Sequence, residues 1–147
     1  MAPLKKGDSV KIVIDSNVLF SALIRDSTTR KLILEYDGKF LFPSFIFSEM
    51  EKHKGMLISK SGIPKEEFDI LLSIILAKVT IIPDSMLLKQ KKKALILAKK
   101  TDIDDLVFFA CALSYKGSVL WSNDKRLKKQ RKIKVLNTKE IMDLIGT

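Results

Sequence analysis

The segment Lys11-Ile-Val-Ile-Asp-Ser-Asn17 decides the fold class, because it joins an apolar run to a polar turn. A short apolar run that ends in turn residues is typical of a buried strand. Asp15, Ser16 and Asn17 supply turn-prone side chains at its end. Helical spacing resumes over residues 18–23. The segment therefore predicts the first strand and helix of an α/β domain.

The same alternation of strand and helix continues along the chain. Further strands are predicted over residues 40–42, 79–82, 118–121 and 134–136. Helices are predicted over residues 28–36, 44–54, 64–78, 85–100, 102–115 and from 138 onwards. Ser44 and Asp102 are expected to cap two of these helices, and Asn137 with Glu140 predicts a capping box for the last one. Strands separated by helices predict a parallel sheet that helices cover on both faces.

Length and composition indicate one globular domain that spans residues 1–147. Apolar residues make up 46% of the chain and charged residues 30%, which excludes a disordered segment. The apolar run of residues 70–77, which Ser73 interrupts, is too short to cross a membrane. The single cysteine, Cys111, excludes an internal disulfide, and we expect a cytoplasmic protein.

Charge and histidine content narrow the chemistry. A net charge of +10 favours a polyanionic partner, RNA or DNA, although a lysine-rich surface that serves solubility explains it equally well. The only histidine, His53, is expected in an exposed loop. One histidine and one cysteine nearly exclude zinc sites with these ligands and catalytic triads. Any chemistry must therefore depend mainly on carboxylates.

Four acids fall near one end of the predicted sheet. Asp15 and Asp124 follow strands. Glu49 lies on the helix entered from the second strand, and Asp105 lies in the first turn of the helix before the fourth strand. Ligands of parallel sheets bind beyond the carboxyl ends of the strands, so we expect these acids to share one crevice. Repulsion among them is relieved by a cation, and oxygen ligands suit Mg²⁺ or Mn²⁺. Together with the basic surface, this predicts phosphodiester hydrolysis. Taken singly, each acid is explained as a turn, cap or solvated helix residue.

Basic residues follow directly on Asp124. Because this acid is expected in the site, the run beside it predicts contacts with flanking phosphates. Arg25, near the end of the first helix, is a further candidate for a phosphate contact. The RNA-binding candidates of the run are Lys125, Arg126, Lys128 and Lys129.

Four motifs resemble those of PIN-domain nucleases, in order and over nearly the whole chain. They are Val13-Ile-Asp-Ser-Asn-Val-Leu-Phe-Ser-Ala-Leu23, Pro43-Ser-Phe-Ile-Phe-Ser-Glu-Met50, Asp102-Ile-Asp-Asp-Leu-Val-Phe-Phe-Ala-Cys-Ala-Leu113 and Leu120-Trp-Ser-Asn-Asp-Lys-Arg-Leu127. Trp121 is a mild departure, since a smaller residue usually precedes the Ser or Thr.

The resemblance implies five parallel strands in the order 3-2-1-4-5 within a three-layer α/β/α domain. It implies a Mg²⁺- or Mn²⁺-dependent endoribonuclease whose metal is held by Asp15, Glu49, Asp105 and Asp124. The auxiliary residues that it implies are Asn17, Ser122, Asp102 and Asp104. Many relatives are toxins that an antitoxin protein inhibits, others mature or degrade RNA, and dimers are common.

Other classes fit the sequence less well. The six glycines are scattered, so no phosphate-binding glycine loop occurs. Asn17 stands where a phosphatase of the haloacid dehalogenase type needs a second Asp. A receiver domain needs its acid at the end of the third strand, whereas the acids here gather elsewhere. A module that binds RNA or a partner protein without cutting stays open as the alternative to a nuclease.

Overall fold

The computed structural model describes residues 9–24 and 27–145 and contains a five-stranded parallel sheet. The strands are β1 (Ile12–Ile14), β2 (Phe40–Pro43), β3 (Val79–Ile82), β4 (Val119–Trp121) and β5 (Val135–Leu136). The helices are α1 (Ser16–Ile24), α2 (Ser27–Glu35), α3 (Ile46–Ser61), α4 (Lys65–Ala77), α5 (Lys91–Ala98), α6 (Leu106–Ser114) and α7 (Thr138–Ile145). None of the helices in these two ranges is long and apolar enough to cross a membrane.

The sheet has the order β3-β2-β1-β4-β5, which confirms the predicted topology. β1 lies between β2 and β4, with Ile12 paired to Phe40 on one side and to Val119 on the other. Crossovers between parallel strands are right-handed, so the reversal of direction after β3 places α1–α4 on one face of the sheet and α5 and α6 on the other. The molecule is thus a three-layer α/β/α domain whose strand order reverses between β1 and β4.

The core is built from the strands and from large aromatic side chains. Every residue of β1, β2, β4 and β5 is buried, as strands that are covered on both faces must be. Trp121 is fully buried near Phe40, at 6.2 Å between ring centroids. Its Nε1 donates a hydrogen bond of 3.0 Å to Thr138 Oγ1, so the polar group of the buried indole has a partner.

The last helix confirms its predicted start. The Glu140 N–H donates to Asn137 Oδ1 at 2.9 Å, and the Asn137 N–H donates to Glu140 Oε1 at 3.1 Å. This reciprocal pair is the capping box that the sequence predicted. Asn123 adds a second cap, because its Oδ1 accepts from the Thr138 N–H at 2.9 Å. The loop after β4 is thereby tied to the start of α7.

Several helix boundaries differ from the prediction. Ser44 does not cap α3, since its hydroxyl donates to Asp84 Oδ1 at 3.1 Å and Phe45 occupies the cap position. α3 continues to Ser61. Gly62 follows it with a φ of 71°, a left-handed conformation that glycine adopts readily. The lysine-rich segment begins with 3₁₀ turns over residues 84–90 and becomes α-helical only at Lys91.

Candidate active site

A crevice of about 810 Å³ opens at the carboxyl ends of β1 and β4, where the strand order reverses. This is the position at which open parallel sheets bind their ligands. Seven carboxylates line the crevice: Asp15, Glu49, Asp84, Asp102, Asp104, Asp105 and Asp124. The structure therefore brings the four predicted metal-site acids, and the two predicted auxiliary acids, to one crevice.

Asp15 directly follows β1 and is the most deeply buried of these acids, with 6% of its surface exposed. Its Oδ1 accepts a hydrogen bond of 2.8 Å from the Val18 N–H, which begins α1. Burial raises the pKa of Asp15 above its usual range, and the negative charge of Asp124 raises it further. The hydrogen bonds from the Ser122 hydroxyl and the Val18 N–H lower this pKa and so offset part of the effect. The position of the carboxylate is thus fixed by backbone, while its charge is poorly compensated.

Asp105 lies at the end of a 3₁₀ turn (Ile103–Asp105) that leads into α6. The preceding Asp102 caps this turn, since its Oδ1 accepts from the Asp104 N–H at 3.0 Å. Burial raises the pKa of Asp105 to about 6, and the carboxylates of Asp102, Asp124 and Asp15 raise it in the same direction. Its Oδ2 is buried and has no hydrogen-bond partner. A buried oxygen in this state is ready to accept a cation or a donor.

Removing the Asp105 charge is expected to stabilise the metal-free protein above pH 7. Because the pKa of about 6 exceeds the ordinary value of 3.8, the folded chain keeps a proton that the unfolded chain has lost. The free energy of unfolding therefore falls as pH rises from about 4 to about 6. After discounting for partial exposure, we expect Asp105→Asn to restore about 1 kcal/mol.

Urea unfolding in EDTA across this pH range measures the effect. Asp104→Asn, at an exposed position in the same turn, is the matched control. An Asp105→Asn protein whose stability varies with pH as in the wild type would contradict the prediction.

Asp124 follows β4 and is held by Arg126. Arg126 Nη2 donates to Asp124 Oδ2 at 2.7 Å, and its Nε contacts both carboxylate oxygens at 3.1 and 3.2 Å. The same guanidinium lies 3.6 Å from Asp102 Oδ2. The hydrogen bond from Arg126 lowers the pKa of Asp124. The Arg126 guanidinium thus neutralises part of the negative charge of the crevice.

Glu49 lies in the first turn of α3, and its Oε2 is 3.4 Å from His53 Nε2, one turn later. The expectation that His53 lies in an exposed loop was wrong, because α3 continues past it. Its ring is half-buried and lies 5.7 Å from the ring of Phe20, between centroids.

The other predicted residues occupy different positions. Ser122 is buried between two acids, since its hydroxyl bonds Asp15 and its Oγ accepts from the Asp124 N–H at 3.1 Å. Asn17 lines the crevice, and its backbone N–H bonds Asp15.

The predicted RNA-binding residues lie in different places. Arg126 lines the crevice, whereas Lys125 and Lys128 line a neighbouring groove of about 590 Å³ and Lys129 is exposed. Arg25 lies outside the described residues.

Two charged residues of the crevice were not predicted. Asp84 lies just beyond β3, where Pro83 ends the strand, and Lys52 lies on α3, one turn from Glu49. The signal for Asp84 was its place at the carboxyl end of a strand, the same signal that identified Asp15. For Lys52, the only signal was its spacing of three residues from Glu49 on the same predicted helix.

The donor set fits a hard divalent cation. All seven carboxylates offer oxygen ligands, and the buried Oδ2 of Asp105 has no partner. Burial, and after it repulsion from neighbouring acids, raises the pKa of Asp15 and Asp105. As the side chains stand, no three acids, histidines or cysteines within the described residues form a group that holds a metal. Two of the four predicted ligands contact basic side chains, because Asp124 contacts Arg126 and Glu49 contacts His53.

Comparison with known families agrees with the fold. A family model for the PIN domain matches residues 13–142, from β1 into α7. The chain therefore belongs to the PIN-domain family. PIN domains are generally nucleases that bind nucleic acids and typically use divalent metal ions. A search among curated proteins finds no match.

Proposed function

We propose that this chain is a Mg²⁺- or Mn²⁺-dependent endoribonuclease that hydrolyses phosphodiester bonds in its carboxylate crevice. The observation that carries the proposal is the Oδ2 of Asp105, a buried and unpartnered oxygen in a crevice lined by six other carboxylates. Such an arrangement costs stability unless a cation binds it. Membership of a family whose members are generally nucleases supports the same conclusion.

The roles of the residues follow from their surroundings. Asp15, Asp105 and Asp124 would hold the cation, with Glu49 assisting directly or through water. When bound, a divalent cation lowers the pKa of water and stabilises negative charge on the phosphodiester. Ser122 holds two of these acids in place through its hydrogen bonds.

Positive side chains close to the acids would hold the strand. Lys52 and Arg126 line the crevice and can contact the phosphate that is cut. Lys125 and Lys128, in the groove beside Asp124, are placed for the next phosphates along the strand. Cleavage thus combines negative charge that binds a metal with positive charge that binds the substrate.

The first experiment is cleavage of a labelled single-stranded RNA by the purified protein. We expect cutting with Mn²⁺ or Mg²⁺, no cutting in EDTA, and recovery when the metal is restored in excess. Cutting that continues in EDTA would contradict the proposal. Ca²⁺ is the matched control, since it also binds carboxylates but takes a looser geometry.

A second candidate is a module that binds RNA or a partner protein without cutting it. The contacts of Asp124 with Arg126 and of Glu49 with His53 favour it, because these acids already have partners in the metal-free chain. Such a module would bind the labelled RNA equally well with and without metal. RNA binding with no cutting under any metal would support it over the nuclease.

Arg126 is expected to compete with the metal. The guanidinium occupies both oxygens of Asp124, so Arg126→Gln should tighten Mn²⁺ binding, by at most about fivefold for so exposed a pair. The same change should weaken RNA binding. Isothermal titration with Mn²⁺ measures the first effect. Lys125→Gln is the control, since it removes an equal charge next to Asp124, and equal metal affinities of the two variants would contradict the competition.

The proposal extends to location and protein partners. We propose a cytoplasmic protein that acts as a toxin with an antitoxin partner, or alone in RNA maturation, and that can form a homodimer. α4 buries Phe68 and Ile75 but exposes Ile70 and Ile74, which gives a second copy some apolar surface. Light scattering of the protein alone, and after co-expression with any small gene directly upstream, distinguishes these assemblies.

A further inference from the structure

A second groove, of about 750 Å³, lies at the opposite end of the sheet from the carboxylates. We call it the distal groove. Its lining includes Val10, just before β1, Val119, at the start of β4, and Lys134, just before β5. All three mark the amino ends of strands, whereas the crevice lies at the carboxyl ends. The two openings are therefore separated by at least the length of β4, three residues or roughly 10 Å.

The distal groove is basic. Four lysines line it: Lys93, Lys116, Lys132 and Lys134. Within the described part of the chain, none of its lining residues is acidic, and none of these lysines forms an ion pair. Tyr115 also lines it, and Lys11 Nζ lies 5.1 Å from the centre of the tyrosine ring. Lysines beside an aromatic ring and apolar walls are the combination that holds single-stranded nucleic acid.

The segment between β4 and β5 joins the crevice to the distal groove. Because these strands are parallel neighbours, residues 125–134 must return from the carboxyl end of one to the amino end of the other. We call them the basic crossover, since seven of the ten are Lys or Arg. All seven are exposed, while every third residue is buried: Leu127, Gln130 and Ile133.

Hydrogen bonds of the buried Gln130 side chain hold the basic crossover in place. The Gln130 Nε2 donates to the carbonyls of Leu127 and Ile133 at 3.0 and 2.8 Å, and its Oε1 accepts from the Ile133 N–H at 2.8 Å. The segment thus presents its charges in a fixed order, from Lys125 beside the crevice to Lys134 in the distal groove.

We propose that the distal groove is a second binding site for the RNA strand, reached from the crevice along the basic crossover. The inference rests on the proposed function for the identity of the ligand. The distal groove lies far from the phosphate that would be cut. Only a strand long enough to reach both places would therefore bind tightly. An acidic protein segment is the competing occupant. RNA is favoured because the positive charges continue without a break from the site where the strand would be cut.

The test compares two variants with equal loss of charge. The first carries Lys93→Gln, Lys116→Gln and Lys132→Gln. The control carries Lys31→Gln, Lys60→Gln and Lys78→Gln, at exposed positions that line neither the crevice nor a groove described above. Binding of fluorescent RNA is measured by anisotropy in EDTA. A strand of about 20 nucleotides is longer than one small binding site for single-stranded nucleic acid, and a strand of about 4 nucleotides just fills one.

We expect the first variant to bind the long strand roughly tenfold more weakly at about 0.1 M salt, with a salt slope smaller by about 2. The short strand should lose less affinity than the long one, because it fits one site at a time and can still bind beside the crevice. The control variant should bind both strands like the wild type. Equal weakening in both variants would overturn the proposal, because binding would then follow net charge alone. An unchanged affinity of the first variant for the long strand would also overturn it.

Poly-L-glutamate, measured with the same variants, tests the competing occupant. A loss of binding confined to poly-glutamate would assign the distal groove to an acidic protein and overturn the RNA site. Because all binding is measured without metal, failure of the groove is distinguishable from failure of the nuclease. A protein that shows the expected binding and never cuts RNA would refute the enzyme and keep the distal groove.

Discussion

Asp15→Asn is expected to lower metal-dependent RNA cleavage by at least about 100-fold. Asp15 is the most deeply buried acid of the crevice, and the exchange removes a negative charge that would bind the proposed cation. The asparagine keeps the side-chain oxygen that accepts from the Val18 N–H, so the start of α1 is preserved. Steady-state cleavage of labelled RNA in Mn²⁺ gives the measurement.

The loss should not come from unfolding. Burial raises the pKa of Asp15, which means that its charge costs folding free energy and that Asn relieves the cost. The variant should therefore melt no lower than the wild type in EDTA. Asp143→Asn, on an exposed position of α7, is the control for the loss of one acid. An Asp15→Asn protein that keeps more than about a tenth of the activity would remove this residue from the proposed metal site.

Trp121→Ala is expected to reduce the free energy of unfolding by about 3–5 kcal/mol. The indole is fully buried in the central part of the sheet, and its removal leaves a cavity beside Phe40. It also removes the hydrogen bond from Nε1 to Thr138 Oγ1, which joins β4 to α7. Thr138 keeps its second partner, Asn123, so the cavity dominates the loss.

Trp121→Phe separates the two contributions. It keeps an aromatic ring in the core but cannot donate to Thr138, so a loss of about 1–2 kcal/mol is expected. Urea unfolding followed by circular dichroism measures both variants, since each lacks the only tryptophan of the chain. A Trp121→Ala protein whose free energy of unfolding is less than about 1 kcal/mol below that of the wild type would contradict the prediction, because neighbouring side chains would then have closed the cavity.

Those features of the fold that depend on local chemistry were predictable. β3, at Val79–Ile82, matches its prediction, because an apolar run stopped by Pro83 has few other conformations. The capping box at Asn137 was equally predictable, since its two partners are three residues apart. The sheet order came from the resemblance of four motifs, and the structure confirms it.

Features that depend on contacts between distant segments were not predictable. Ser44 looks like a helix cap, yet its hydroxyl finds Asp84, forty residues away, and α3 begins without a side-chain cap. Asp15 and Asp124 were identified by their positions after strands, but the contacts of Asp124 with Arg126 depend on side-chain rotamers. The distal groove joins segments before β1, β4 and β5, and no local pattern indicates such a convergence.

The spacing of the basic crossover has an evolutionary consequence. Its buried positions are Leu127, Gln130 and Ile133, which pack this segment onto the domain, while its seven charged side chains are exposed. Exposed substitutions typically change stability by less than about 0.5 kcal/mol. Selection can therefore alter charge at these sites one by one without endangering the fold. A lineage could acquire a different substrate along this edge while its three anchoring residues stay the same.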